Sequence, residues 1–165
     1  MTDNGANEAG GPVRVAEERI MEELRRLYSP EVIDHWRNPR NFRRLEEADG
    51  YARNKGACGD TMEMFLRVRD GRIVECAFQT DGCVTTVACG SVATELAAGK
   101  EFIEALGLVS AAEILMALGG LPEDSVHCAR LAADTLRRAL ADYLACKNAP
   151  WRRAFRKTSG EEEST

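Results

Sequence analysis

The stretch Thr61-Met62-Glu63-Met64-Phe65-Leu66-Arg67-Val68 decides the fold class. Met62, Met64, Leu66 and Val68 alternate with Thr61, Glu63, Phe65 and Arg67, the period of a strand with one buried face. Asp70-Gly71 follows, a dipeptide that tolerates the positive φ angles of a two-residue hairpin turn. Val74, Cys76 and Phe78 then resume the alternation with their side inward. The segment therefore reads as an antiparallel hairpin. A weaker run from Tyr51 to Lys55 adds a third strand.

Outward from the hairpin the period becomes helical. Upstream, Ala16, Ile20, Leu24 and Leu27 fall on one stripe of a helix over 13–27, with Glu17, Glu18, Glu22, Arg25 and Arg26 elsewhere. Ser29-Pro30 restarts the chain, Ser as N-cap and Pro in the first turn. The helix that follows carries Val32, Ile33 and Trp36 and stops at Asn38-Pro39, because the residue before Pro avoids helical angles. Downstream, Val84, Val87, Ala88, Val92 and Leu96 mark a helix that stops near Gly99, and a short one runs from Phe102 to Leu106. Ser110 with Glu113 forms a capping box ahead of Ile114, Leu115 and Leu118. After the loop Gly119-Gly120-Leu121-Pro122, a long helix runs from about His127 to Cys146, with Ala132, Leu136, Leu140 and Tyr143 among its apolar positions. The expected fold is α+β: a small three-stranded antiparallel sheet packed against about five to six helices. Residues 1–12, polar and Gly-rich, read as a disordered tail and 148–165 as a flexible one.

The 165 residues are 44% hydrophobic and 6% aromatic, enough for one core without disulfide staples. A net charge of −5 argues against a dedicated nucleic-acid binder. Basic residues cluster at 37–44, read as a solvated face, and at 151–157, where a docking patch for an acidic partner is the sharper alternative. No apolar run reaches the length of a membrane span, and the first residues carry neither the basic start nor the apolar core of a secretory signal. Six cysteines in such a chain read as reduced thiols in a cytoplasmic protein.

Three of those cysteines carry the functional reading. Cys58 stands in Ala57-Cys58-Gly59-Asp60, Cys83 follows Asp81-Gly82, and Cys128 follows His127. None belongs to a CxxC pair, and all three fall at the ends of expected elements, where side chains can converge outside a packed core. Gly59 gives the backbone freedom for a sharp loop, and Asp60 sets a hard oxygen beside a soft sulfur. Cys128 lies in the first turn of the long helix, whose partial positive charge favours the thiolate. Cys76 reads as a small buried hydrophobe and Cys146 as incidental. Cys89, one helical turn beyond Thr85, is open to either reading. His127 is a better ligand candidate than His35, which reads as a partly exposed helix residue.

Read together, Tyr28-Ser29-Pro30-Glu31-Val32-Ile33-Asp34-His35-Trp36, Asn38-Pro39-Arg40-Asn41, Cys58-Gly59-Asp60, Gly82-Cys83, and Leu121-Pro122 ahead of His127-Cys128 form a pattern. It resembles the U-type iron–sulfur cluster assembly scaffolds, the family of IscU and of the N-terminal domain of NifU. The resemblance runs from about Tyr28 to Tyr143, within an expected scaffold domain over 28–147. It implies a [2Fe–2S] cluster assembled from iron and from persulfide sulfur supplied by a cysteine desulfurase, then handed to apo-proteins. Carried across, Cys58, Cys83 and Cys128 are the sulfur ligands and Asp60 or His127 completes the site, with Cys89 an extra candidate near it. Cys128 is the expected persulfide acceptor on the helix-end argument. Asp60, a weak oxygen ligand, is expected to keep the site labile, as a carrier needs. The same ligands suit tetrahedral zinc in place of the cluster.

The implied role is that of a scaffold and carrier, not an enzyme turning over a small substrate. The alternative is a zinc-binding sulfur-transfer partner of a desulfurase, which relays sulfur without building a cluster. Such relatives typically carry Lys where His127 stands and an insertion before that motif, and both features are absent here. Family members often read Leu-Pro-Pro-Val-Lys before His-Cys, the segment a DnaK-type chaperone engages. Leu121-Pro122-Glu123-Asp124-Ser125 lacks the second Pro and the Lys, which argues against that partner. Homo-oligomerisation is left open.

Overall fold

The computed structural model describes residues 12–154. Helix α1 spans Pro12–Leu27 and α2 Pro30–Arg37; strands β1, β2 and β3 span Gly50–Lys55, Thr61–Arg69 and Arg72–Thr80. Helices α3 (Val84–Ala97), α4 (Phe102–Leu108) and α5 (Ala111–Ala117) follow, then a 3-10 turn at Glu123–Ser125 and α6 (Val126–Asn148). The sheet is antiparallel throughout, in the order β1-β2-β3. Helices α3 and α6 cover one face of it, α2 and α5 pack outside them, and α1 touches the rest chiefly through α2. The α+β reading holds.

Local chemistry accounts for the boundaries. The Ser29 side chain accepts the Val32 N–H and Pro30 opens α2, while Ser110 accepts the Glu113 N–H at the start of α5. Asp70 and Gly71 both take positive φ, 51° and 77°, which matches the twist of a two-residue hairpin. On the core face Met62 pairs with Thr80, Met64 with Phe78 and Leu66 with Cys76. A bulge at Arg67/Val68 then shifts the register, so that Val68 meets Ile73. Ile73 is consequently fully buried and Val74 is exposed, the reverse of the side expected for Val74 from strict alternation.

The far face of the sheet is not simply solvated. Phe65, placed by alternation with the polar set, packs with Leu45 and Ala77 in a second small apolar cluster, against which Ala48 and Tyr51 lie. Loop 38–49 covers this face. The α1 stripe also differs from an ordinary core-facing stripe: Ile20 and Leu27 are exposed, and only Met21 and Leu24 are half-buried. Of the stretch read as a C-terminal tail, 149–154 lies within the described residues. It turns back through i→i+3 hydrogen bonds, and Arg153 pairs with the buried Asp49 at 3.1 Å. Residues 155–165, and 1–11 of the N-terminal tail, lie outside the described residues.

Helix α6 approaches β1 closely enough that a Cβ at Gly50 would stand 2.4 Å from the Ala139 carbonyl oxygen and 2.9 Å from Tyr143 Cβ. Both obstacles belong to the core helix and neither swings aside. Gly50→Ala is expected to cost about 1–3 kcal/mol by overpacking. Urea denaturation checks it: the midpoint falls with an unchanged slope, and an unmoved midpoint refutes the close approach.

Candidate functional site

Two loops meet at one end of the sheet because antiparallel pairing leaves them no choice. The β1–β2 connection 56–60 leaves Lys55 and returns at Thr61, and β3 ends at Thr80 beside the start of β2. The Cys58 loop and the Cys83 segment are therefore neighbours despite their sequence separation. Asp81 Oδ1 accepts the Thr61 N–H at 2.6 Å, and the Thr80 hydroxyl donates to the Thr61 carbonyl at 2.6 Å, pinning the two together. Gly59 turns the tip of the first loop at φ +94°. The start of α6 supplies His127 and Cys128 from a third direction.

Within that junction the side chains make one connected set. Cys83 is the N-cap residue of α3, and its Sγ lies 3.1 Å from Thr85 Oγ1 and 3.5 Å from Thr86 Oγ1. The same two hydroxyls reach Cys128 Sγ at 3.3 and 3.4 Å. Thr86 also donates to Asp60 Oδ2 at 2.6 Å, and the Cys83 N–H approaches that oxygen at 3.4 Å. His127 Nε2 stands 3.5 Å from Cys128 Sγ. Cys58 is exposed on the tip of the β1–β2 loop, two residues before Asp60. Among the described residues, no three His, Cys, Asp or Glu side chains form a ready-made metal-holding group. Threonine hydroxyls stand between the sulfurs instead, so gathering the thiols on a common cargo requires side-chain rotation.

The electrostatics separate the thiols. Burial raises the Cys83 thiol, but the Thr85 and Thr86 hydroxyls and backbone N–H groups outweigh it and hold the thiol below its ordinary range. Cys128 goes the other way. It is 1% exposed, and burial pushes its thiol up against the same two hydroxyls, helped by the fields of Cys83 and Cys58. Burial thus opposes the helix-end effect expected at Cys128, while Cys83, capping α3, is the thiol held low. The Thr86 hydroxyl first, with the Cys83 N–H, the Cys58 thiol and the His127 ring, holds the Asp60 carboxyl below the usual range despite partial burial.

Cys89 lies fully buried in the core, its thiol pushed up by burial and then by Cys128 and Cys83. It stands close to the set, behind it. Cys76 is buried as expected, its thiol raised to about 12, and Cys146 is buried near the end of α6. His35 is tied away from the thiols, 2.8 Å from Ser91 Oγ and 3.7 Å from Glu95. Sequence reading missed Thr85 and Thr86, which carry most of the hydrogen bonds. Tyr28, quoted above only as part of the family pattern, has its phenol raised by burial first and then by the fields of Cys83, Asp124 and Cys128. The available signal was two adjacent hydroxyls directly after Gly82-Cys83-Val84.

A two-layer α+β domain with a thiol, carboxylate and imidazole junction at one end of its sheet is the class this fold and site define. Within it, the chain belongs to the NifU-like N terminal domain family, whose model matches residues 27–149. It is 48% identical over 118 residues to the iron-sulfur cluster assembly scaffold protein IscU 1 of Archaeoglobus fulgidus, covering 71% of this chain and 76% of the relative. It is 39% identical over 124 residues to the iron-sulfur cluster assembly scaffold protein IscU of Escherichia coli, covering 70% and 93%. Among solved structures, a crystal structure from Fervidobacterium islandicum, described as a candidate scaffold for the SUF system, aligns with TM-score 0.57 at 26% identity. That alignment covers 68% of this chain and 96% of the other. Helix α1 lies almost wholly ahead of the family match.

Proposed function

We propose that this protein is a scaffold on which iron–sulfur clusters, of the [2Fe–2S] type, are assembled and from which they pass to apo-proteins. The observation that carries the reading is the convergence of Cys58, Cys83 and Cys128 with Asp60 and His127 at one junction, two of the thiols exposed. In this reading the three cysteines bind the cluster through sulfur and Asp60 or His127 supplies the weaker fourth ligand. Bridged irons favour thiolates, and one oxygen or nitrogen ligand makes the cluster easier to surrender than four thiolates do. In this reading the cluster is cargo and not a substrate that is turned over. The cleft of about 440 Å³ between α1 and α2, lined by Met21, Arg25, Tyr28, Ile33 and Arg37, contains none of the thiols.

Sulfur arrives as persulfide from a cysteine desulfurase, and apo iron–sulfur proteins are the acceptors. The compartment proposed is the cytoplasm; among the described residues no helix is long and apolar enough to cross a membrane. Exposed Glu123 and Asp124 ahead of α6 support the view that a DnaK-type chaperone is not a partner. The second reading, sulfur relay with zinc held by the same thiols, draws on the favoured thiolate at Cys83.

Anaerobic reconstitution with iron, cysteine and a cysteine desulfurase separates the two. Growth of a visible charge-transfer band, lost on adding apo-ferredoxin, is the expected result. Persulfide on a thiol with retained zinc and no band establishes the relay instead.

A further inference from the structure

Of the four buried threonines among the described residues, two satisfy their hydroxyls within their own helix. Thr94 donates to the Ser91 carbonyl at 2.8 Å and Thr135 to the Leu131 carbonyl at 2.6 Å, each within its own helix. That is the low-cost solution for a helical threonine, and it needs nothing from outside the helix. Thr86 is as buried as these, on α3, yet its shortest hydrogen bond reaches 26 residues back, to Asp60 Oδ2 at 2.6 Å.

The contact is enforced from a second side. A Cβ added at Gly82 would stand 2.6 Å from Asp60 Oδ2 and 2.6 Å from Thr86 Cβ. Carboxylate, threonine and the Gly82 backbone are thus in mutual contact, and only glycine leaves room for them. The Cys83 N–H faces the same oxygen at 3.4 Å. Oδ2 is therefore the oxygen the protein holds. The Thr86 hydroxyl has one proton, and the short contact assigns it to Asp60. Its contacts to Cys83 and Cys128, at 3.5 and 3.4 Å, are the longer ones. When cargo draws those sulfurs away, the bond to Asp60 remains.

We infer that Thr86 is a positioning residue: its hydroxyl ties one oxygen of Asp60 beside Gly82 and Cys83, so that the carboxylate meets the cargo through its other oxygen alone. A carboxylate anchored in this way is a single-point ligand, displaced by one incoming donor. An unanchored one either chelates through both oxygens or turns out to solvent. The inference rests on the scaffold reading for its biological meaning, since it assigns Thr86 the control of how Asp60 engages the cluster.

The test compares Thr86→Val, which keeps the shape and loses the hydroxyl, with Thr86→Ser, which keeps the hydroxyl, with Asp60→Ala, and with the Thr86→Val/Asp60→Ala double variant. The first readout is the rate of cluster transfer from each reconstituted protein to apo-ferredoxin. Thr86→Val is expected to shift the rate in the direction of Asp60→Ala and by most of its size. The double variant is expected to match Asp60→Ala alone, because two residues acting as one unit are not additive. Thr86→Ser stays within about twofold of wild type, the usual scatter for an undisturbed pair. The second readout needs no cluster: Co²⁺ is titrated into the apo-proteins and the visible ligand-field bands are compared. There Thr86→Val is expected to match Asp60→Ala, and Thr86→Ser to match wild type. A Thr86→Val protein that behaves as wild type in both readouts overturns the inference, as does strict additivity in the double variant. If wild type builds no cluster, the scaffold reading fails by itself and the Co²⁺ comparison still decides the role of Thr86.

Discussion

Cys83→Ser is expected to abolish cluster assembly and to remove the persulfide that a desulfurase leaves on the wild-type protein. The effect exceeds the ~10–100-fold that loss of a ligand's supporting hydrogen bond costs at metal sites, because a sulfur ligand is itself lost. The persulfide half of the prediction follows from access. A desulfurase delivers sulfur as a persulfide on its own cysteine, so the receiving thiol must be reachable. Cys83 is exposed at the cap of α3, whereas Cys128 is 1% exposed beneath the start of α6. Peptide mass spectrometry after incubation with cysteine and desulfurase checks this. The modification is expected on Cys83 in the wild type, retained in Cys128→Ser and absent in Cys83→Ser. A persulfide that stays on Cys128 when Cys83 is replaced restores Cys128 as the acceptor, and then requires the first turn of α6 to open during transfer. Isosteric serine keeps the cap geometry, so unchanged thermal unfolding is the control.

The hairpin that positions this site was readable because its physics is local. Alternation, the Asp70-Gly71 turn and the Ser29 and Ser110 caps each depend on residues a few positions apart, and each appears where the chemistry dictates. What escaped reading depends on partners distant in sequence. The bulge that turns Ile73 inward and Val74 outward is fixed by the pairing with β2, and nothing in Arg72-Ile73-Val74-Glu75 announces it. Phe65 looked polar-facing until loop 38–49 supplied Leu45 as its neighbour.

The thiols divide the same way. Their grouping could be anticipated from element ends and adjacent turn-formers, but their relative acidity could not. A helix N-terminus favours thiolate by a fraction of a charge at short range, and burial opposes that at Cys128. Whether a side chain is buried is a tertiary fact. Thr85 and Thr86 were illegible for a related reason: threonine in a helix ordinarily bonds its own turn, and the approach of the Cys58 loop and of α6 adds the Asp60 carboxylate and the Cys128 sulfur to the local contacts with Cys83.

Asp60→Ala is expected to slow cluster release by a factor of about ten, ~1.4 kcal/mol in the barrier, while leaving the fold intact. Release requires an acceptor thiolate to enter the coordination shell, and entry is easiest where the departing ligand is weakest. In the proposed site the Asp60 carboxylate would be that ligand among thiolates, and one of its oxygens is already committed to Thr86 and the Cys83 N–H. Remove it and the position does not stay empty. His127 Nε2 lies 3.5 Å from Cys128 Sγ, beside the site, and an imidazole nitrogen holds iron in clusters of mixed sulfur and nitrogen ligation. Exchanging Asp60 for His127 therefore replaces a yielding ligand with a firmer one and removes a negative charge facing an anionic thiolate-bound cluster. Asp60 is only half-buried, so its truncation opens the Thr86 hydroxyl to water and does not strand a polar group in the core. The measurement is the decay of the visible charge-transfer band when apo-ferredoxin is added to the reconstituted variant, followed against wild type at equal cluster content. Release at the wild-type rate removes Asp60 from the coordination shell. Faster release means that the carboxylate holds the cluster, and lability must then come from His127.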